Sequence, residues 1–325
     1  MEAMFAALGG EVSHIALAMH SGLQLLIWSV IAELGQPLIR VVLSVLPFWR
    51  NFENLKTGSG KLVWDYIPAS TAVALWRATA ALACLCGHWQ GVPQLFRVGL
   101  TIEISYRLND FVLGALGVRR YSGKPWQVRG VLMLYNSFSI LLAVPAAVSY
   151  SDDPDVRLLV VLLIGSGAAL AAVVPLQYIF NPMTLGGCKA LLGLQVVNLM
   201  IFLWCRFIVS IYTRNSIHTR VLSMLYARDP TRAYVFAAGI FGVSYGFSGI
   251  IAVLLFQRIR KARHAGTKVK HLLKYFQQNK KDNGKENQAY IWSSVKFTDF
   301  LIGMPADMMS TGPWCGMRSK GFKKA

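Results

Sequence analysis

Acidic residues are scarce in this chain. Its 325 residues hold 15 Asp and Glu against 33 Lys and Arg, and all charged residues together make up only 15%, where a soluble protein carries about 25%. That shortage excludes a disordered chain and disfavours an ordinary soluble enzyme. Histidine is also rare, at six residues. No two histidines are adjacent or spaced i,i+4, so no helix carries a di-histidine metal site. The five cysteines, Cys84, Cys86, Cys188, Cys205 and Cys315, form no CxxC pair. Four lie in or beside apolar runs, so buried thiols are expected, with neither zinc nor a disulfide framework. Cys84 and Cys86 are two apart and do not share a helix face. A phosphate loop, a GxSxG elbow and a spaced Ser/His/Asp set are all missing. No stretch alternates as a barrel strand would. No lysine lies mid-span to hold a retinal Schiff base.

What the chain does have is long apolar sequence. Hydrophobic residues make up 54% and the mean hydropathy is +0.45. Seven stretches are long enough to cross a bilayer, which takes about 20 residues. They run from His14 to Ala32, Leu62 to Leu85, Val92 to Leu116, Val128 to Val148, Leu158 to Phe180, Ala190 to Tyr212 and Tyr234 to Phe256. An eighth, Leu38 to Trp49, is too short to span; it either extends the first helix or lies in the interface. Glu2 and Glu11 precede the first run with no basic segment, which argues against a cleaved signal peptide. Inside hydrocarbon the backbone must satisfy its own hydrogen bonds, so an all-α, polytopic transmembrane bundle of about seven spans is expected. Trp28, Trp49, Trp64, Trp89 and Trp126 fall near span ends, as an aromatic belt would.

Charge placement sets the orientation. With the N-terminus on one side, that side also holds the Asp152-Asp153-Pro154-Asp155 turn and the Arg214–Arg232 loop. The other side holds Arg119, Arg120, Lys124 and Arg129, and the tail from Arg258 to Ala325 with 15 Lys and Arg against four Asp and Glu. The tail side is therefore cytosolic, or matrix in a mitochondrion. Arg258, Arg260, Lys261, Arg263, Lys268 and Lys270 continue the last helix. They either anchor the tail inside or bind anionic headgroups, at about 1 kcal/mol per basic residue near the surface. No recognition motif accompanies this charge, so nucleic acid is not an expected partner. Beyond it, Gln277–Gln288 is polar and loop-like. Tyr290–Met304 is apolar again and needs a covering surface.

Several blocks, taken in order, resemble the TLC domain family, the membrane domain of TRAM proteins, ceramide synthases and CLN-type proteins. They are Met19-His20-Ser21; Ser59-Gly60-Lys61-Leu62-Val63-Trp64-Asp65; Glu103-Ile104-Ser105 with Leu108-Asn109; Ala115-Leu116-Gly117; Lys124-Pro125; and Gly130-Val131-Leu132-Met133. Together they cover roughly residues 12–195. The family's active members carry a paired histidine where this chain reads Leu75-Trp76-Arg77-Ala78. The Thr-Pro of the Glu-x-Ser block is replaced by Tyr106-Arg107. The resemblance thus implies an inherited lipid-handling bundle without its acyltransferase histidines.

Charges inside a membrane are costly and usually paired or functional. Glu103 and Arg107 are spaced i,i+4, and Arg107 and Asp110 i,i+3, so one helix face can neutralise itself. The alternative is a polar headgroup site formed by His20, Asp65, Glu103, Arg107 and Asp110. His20 is either a lipid contact or a neutral core histidine. Asp65 either pairs with Arg77, which a spacing of 12 puts about 18 Å along the helix, or has a partner on another helix. Arg206 has no local partner and is expected to face another subunit. Gly239, Gly242, Gly246 and Gly249 form a small-residue stripe in the last span. That stripe packs either within the bundle or against another chain.

The expected organisation is a TLC-like bundle over 1–213, an added loop and transmembrane helix over 214–257, and a basic tail over 258–325. The expected function is that of a non-enzymatic accessory or scaffold subunit of a larger membrane complex. Bound phospholipids are expected, and no cofactor or metal. The alternatives are lipid binding, transport or sensing, and an acyltransferase. By family default the membrane is that of the endoplasmic reticulum, with the mitochondrial inner membrane as the alternative. Three spans separate the acidic turn from the tail. Protease-cleavable tags placed after Asp152 and after Lys274 should therefore be cut from opposite faces of sealed vesicles; cutting of both from one face refutes the orientation.

Overall fold

The computed structural model describes residues 14–45, 63–118, 125–177, 180, 185–208 and 217–278. Among them there is no strand. The helices are α1 (His14–Ser44), α2 (Val63–Trp89), α3 (Pro93–Leu116), α4 (Trp126–Val148), α5 (Pro154–Leu176), α6 (Leu185–Leu203), α7 (Ile217–Arg228), α8 (Pro230–Ile240) and α9 (Ser248–Gln278). Helix α6 runs on into a π-helical turn, Trp204–Ile208, and a second π turn, Phe241–Phe247, joins α8 to α9. The chain is the all-α polytopic bundle that its apolar runs require.

Six helical segments are long and apolar enough to cross a membrane, the last of them running from Ala233 to His264 through α8, the π turn and α9. The seventh expected span is α3. At 24 residues it reaches about 36 Å, longer than the roughly 30 Å of hydrocarbon. It carries Arg97, Glu103, Arg107 and Asp110, however, and all four are buried. Helix α3 packs along α1, α2 and α4, and α2 also packs along α5. The most charged of the expected spans is thus enclosed by its neighbours. Helix α6 pairs with α9, and α8 with α4.

Local chemistry sets the helix ends. Pro93 and Pro154 sit in the first turns of α3 and α5, where their missing N–H costs nothing. Asp153 caps α5 by accepting from the backbone N–H groups of Asp155 at 2.9 Å and Val156 at 3.1 Å. Gly117 ends α3 at φ +65°, with its N–H bonded to Gly114 O and that of Val118 to Leu113 O. This left-handed closure suits a residue without Cβ.

The structure decides between alternatives of the sequence reading at some places and departs from it at others. The Leu38–Trp49 stretch extends the first helix through Pro37 as far as Ser44, and Trp49 lies outside the described residues. The Arg214–Arg232 loop contains helix α7, because Val221 and Leu225 fall four apart and both enter the core. Trp28 leaves the aromatic belt and stacks on Trp76 at 5.8 Å inside the bundle. Trp89 and Trp126 stay exposed at helix ends. Cys84 and Cys188 are buried, but Cys86 is exposed; two residues along a helix turns it to the opposite side.

The glycine stripe divides. A Cβ on Gly239 would stand 2.8 Å from the Leu142 backbone N, and one on Gly242 would strike the Phe138 ring, so both press α8 and its π turn against α4. Gly246 and Gly249 are exposed. A Cβ on either would meet no neighbouring helix among the described residues. Gly87 of α2 presses on the Phe96 backbone of α3, and Gly99 of α3 on α2: a Cβ at Gly99 would lie 2.6 Å from Cys84 N and 2.8 Å from Ala80 O. Gly99→Leu must push the helices apart and should cost about 1–3 kcal/mol, read as a lower thermal midpoint in detergent. Gly249→Leu, in open space, should leave the midpoint unchanged.

Candidate functional site

Three of the four charges that α3 carries are gathered in its central and later turns; the fourth, Arg97, near its start, donates to Ser151 Oγ at 2.7 Å. Glu103, Arg107 and Asp110 recur every three or four residues and so share one helical face, and Arg77 of α2 and Asn136 of α4 meet that face. Arg107 donates to Glu103 Oε1 twice, from Nε at 2.7 Å and from Nη2 at 2.6 Å. Arg77 Nη2 approaches the same oxygen at 3.5 Å. Arg77 Nη1 donates to the Gly167 carbonyl of α5 at 2.6 Å. A side chain at Gly167 would collide with this guanidinium, so the glycine admits it. Arg107 Nη1 donates to Asn136 Oδ1 at 3.2 Å, and Asn136 Nδ2 donates to Asp110 Oδ2 at 3.1 Å. The expected self-neutralising face is therefore completed by other helices: Asp110 is joined to Arg107 through Asn136.

Aromatic faces line the same network. The Arg77 and Arg107 guanidiniums lie 5.1 and 5.4 Å from the Tyr106 ring centroid, and Arg107 lies 4.9 Å from that of Tyr135. Such contacts are worth about 2 kcal/mol when desolvated. Trp76 Nε1 donates to Ile102 O at 3.2 Å, which anchors the neighbouring turn of α3 to α2.

Arg206 corrects an expectation. It does not face outward to another subunit; it is 1% exposed. It sits in the π turn that follows α6. Its Nε donates to Ser166 Oγ at 2.7 Å, its Nη2 to Leu163 O at 3.0 Å and its Nη1 to Val243 O at 3.2 Å. Val243 belongs to the other π turn, so one guanidinium ties both irregular turns to α5. Ser248 Oγ also donates to Val243 O, at 2.8 Å. Sequence spacing could not reveal this, because all three acceptors are at least 37 residues away.

Glu103, Arg107, Tyr135 and Arg206 enclose a cavity of about 20 Å³ with apolar residues of α4 and α5. A void of that size holds about one water. Glu103 Oε2 is buried and has no hydrogen-bond partner among the described residues. The network has no open space for a lipid headgroup. Its chemistry is cohesive: three guanidiniums and two carboxylates from α2, α3 and the end of α6 are fixed to one another and to backbone carbonyls. Among the described residues no group of three His, Cys, Asp or Glu is placed to hold a metal.

The other sequence candidates lie apart from this network. His20 is half-buried on α1 and does not line the cavity. Asp65 is within α2, but its side chain lies outside the described residues. Arg258 is 3% exposed rather than on the surface, because α9 packs along α6 and Gly266, eight residues further on, reaches Cys188. Arg260, Arg263 and Lys270 are exposed and Lys261 is half-buried; the Lys268 side chain is outside the described residues. Helix α9 takes in Gln277 and Gln278 of the expected polar loop. The rest of that loop, residues 279–288, the apolar segment 290–304 and Cys315 lie outside the described residues. Asn136, Tyr106, Tyr135, Ser166 and Gly167 were missed. Asn136 carried a usable signal, as an amide alone in an apolar run.

No family model matches the chain, and no curated protein and no solved structure matches it either.

Removing one partner of a buried ion pair costs about 3–5 kcal/mol. Glu103→Ala strands Arg107 and should lower the unfolding midpoint by that measure. Arg206→Met, which loosens both π turns, should lower it too, by about 1.5–3 kcal/mol for lost charged hydrogen bonds. Full stability of either variant would show that the network does not hold the bundle.

Proposed function

We propose that this chain is a non-enzymatic scaffold subunit of a larger membrane assembly, descended from a TLC-like bundle and binding structural lipids. The observation that carries this reading is the use made of the position where the family keeps its histidines. Trp76 is packed in the core and Arg77 is fixed to Glu103 and Gly167 O. A general base near neutral pKa, which acyl transfer needs, is replaced there by groups engaged in holding helices together.

The uncovered end of one helix supports the assembly role. Helix α1 has 31 residues and extends about 46 Å, against roughly 30 Å of hydrocarbon. Over its last three turns Leu34, Leu38, Val41 and Val42 are exposed on several sides. That is more apolar surface than one face of a surface helix, and a neighbouring subunit would cover it. Exposed Arg260, Arg263 and Lys270 on α9 suit an anionic lipid surface. The proposed membrane is that of the endoplasmic reticulum, as the resemblance implies, with the mitochondrial inner membrane as the alternative for an assembly subunit.

The test is the size of the native particle in mild detergent. The protein should migrate as an assembly larger than one 36.0 kDa chain in its micelle. Leu38→Glu with Val41→Glu should release the free chain while its thermal midpoint is retained. A wild-type protein that runs alone overturns the reading. So does loss of a defined lipid product in cells carrying His20→Ala or Glu103→Gln at normal protein levels.

A further inference from the structure

A groove of about 290 Å³ opens on the outer wall of the bundle between α4, the start of α8 and the first turn of α1. Its walls are apolar: Ile140 and Val144 of α4 and Val235 of α8. Its polar side chains lie at one end only. They are His14, the first residue of α1, Ser149, just past the end of α4, and Thr231, in the first turn of α8. All three stand where helices leave the membrane on the side of the acidic turn. From Ser149 to Ile140 the α4 wall descends nine residues, about 13 Å. The hydrocarbon of one leaflet is about 15 Å deep.

From this match of depth and polarity we infer that the groove is a binding site for one acyl chain of a membrane phospholipid from that leaflet. The inference deepens the lipid-binding part of the proposed function and rests on it. The walls belong to membrane-spanning segments, so hydrocarbon and not water is what meets them. A chain entering from the mouth keeps its ester and glycerol beside the exposed imidazole of His14 and hydroxyl of Thr231, which supply donors. At mid-depth Pro145 has no N–H to offer the Leu141 carbonyl, its i−4 partner. Both residues line the groove, so the backbone there lacks the ordinary ladder bond and α4 can bend around an occupant. The volume sits at the lower edge of small-molecule pockets, which suits one chain and leaves the second in the bulk lipid.

The full chain in mild detergent, incubated with a phosphatidylcholine bearing a photoactivatable diazirine midway along one acyl chain, tests this without any variant. Irradiation should place the label on peptides holding Ile140, Val144 and Val235. Unlabelled dioleoylphosphatidylcholine should compete it away, and oleic acid should not. In a second arm, Val144→Phe with Val235→Phe fills the groove and should lower labelling about tenfold, a 1.4 kcal/mol loss. Ile201→Phe, on the exposed face of α6, should leave labelling unchanged. Label spread evenly over exposed faces such as Val197 and Ile201 overturns the site, as does equal competition by oleic acid or undiminished labelling in the filled variant. Particle size in the same detergent reports separately on the scaffold reading: even labelling of an intact large assembly rejects the groove alone.

Discussion

The Glu103 carboxylate is the point on which the bundle turns. It lies on the central helix, nearly sealed from solvent, and one of its oxygens takes both a short pair of bonds from Arg107 and the approach of Arg77. A lone carboxylate in hydrocarbon would neutralise or draw in water. Here α1, α2 and α4 close over α3, and each enclosing contact follows from the need to surround these charges. Gly99 lets α2 come near, Gly167 admits the Arg77 guanidinium, and Asn136 carries the network to Asp110. The charges do not make the bundle stable in a simple additive way, since burying ions is expensive. They make one arrangement of helices far better than its neighbours.

The two π turns extend the same logic to the second half of the chain. An α-helix satisfies its own carbonyls; a π turn widens the ladder and re-aims what it carries. Arg206 in one turn reaches Val243 O in the other and two acceptors in α5. The α6 and α8–α9 segments are thereby tied to the helices that hold Glu103. Apolar packing adds to this through Leu170, Leu199, Phe202, Ile251 and Leu255. It is non-directional and would tolerate sliding, whereas the guanidinium would not.

The all-α membrane class was legible because hydrocarbon leaves the backbone few choices, and length then separates most spans from loops. The intrahelical part of the site was legible for a similar reason: Glu103 and Arg107 are neighbours on any α-helix. Contacts between helices were not. Arg206 read as unpartnered because its acceptors are a serine hydroxyl and two backbone carbonyls, and carbonyls have no signature in sequence. The glycine stripe read as one packing face because spacing alone does not show which of its members a neighbouring helix reaches. Helix α7 read as loop because its arginines masked a short apolar stripe. Trp76 and Arg77 gave no sign in the sequence of the carbonyls that they reach on other helices, Ile102 O and Gly167 O.

The enclosed charges of α3 bear on how the protein is made. Its four ionisable side chains would each oppose entry into lipid by about 2.5–3.5 kcal/mol at the centre of an isolated helix. Helix α3 therefore cannot partition into the bilayer alone as it emerges from the ribosome. Its charges find their partners only when α4, which brings Asn136, and α2, which brings Arg77, stand beside it.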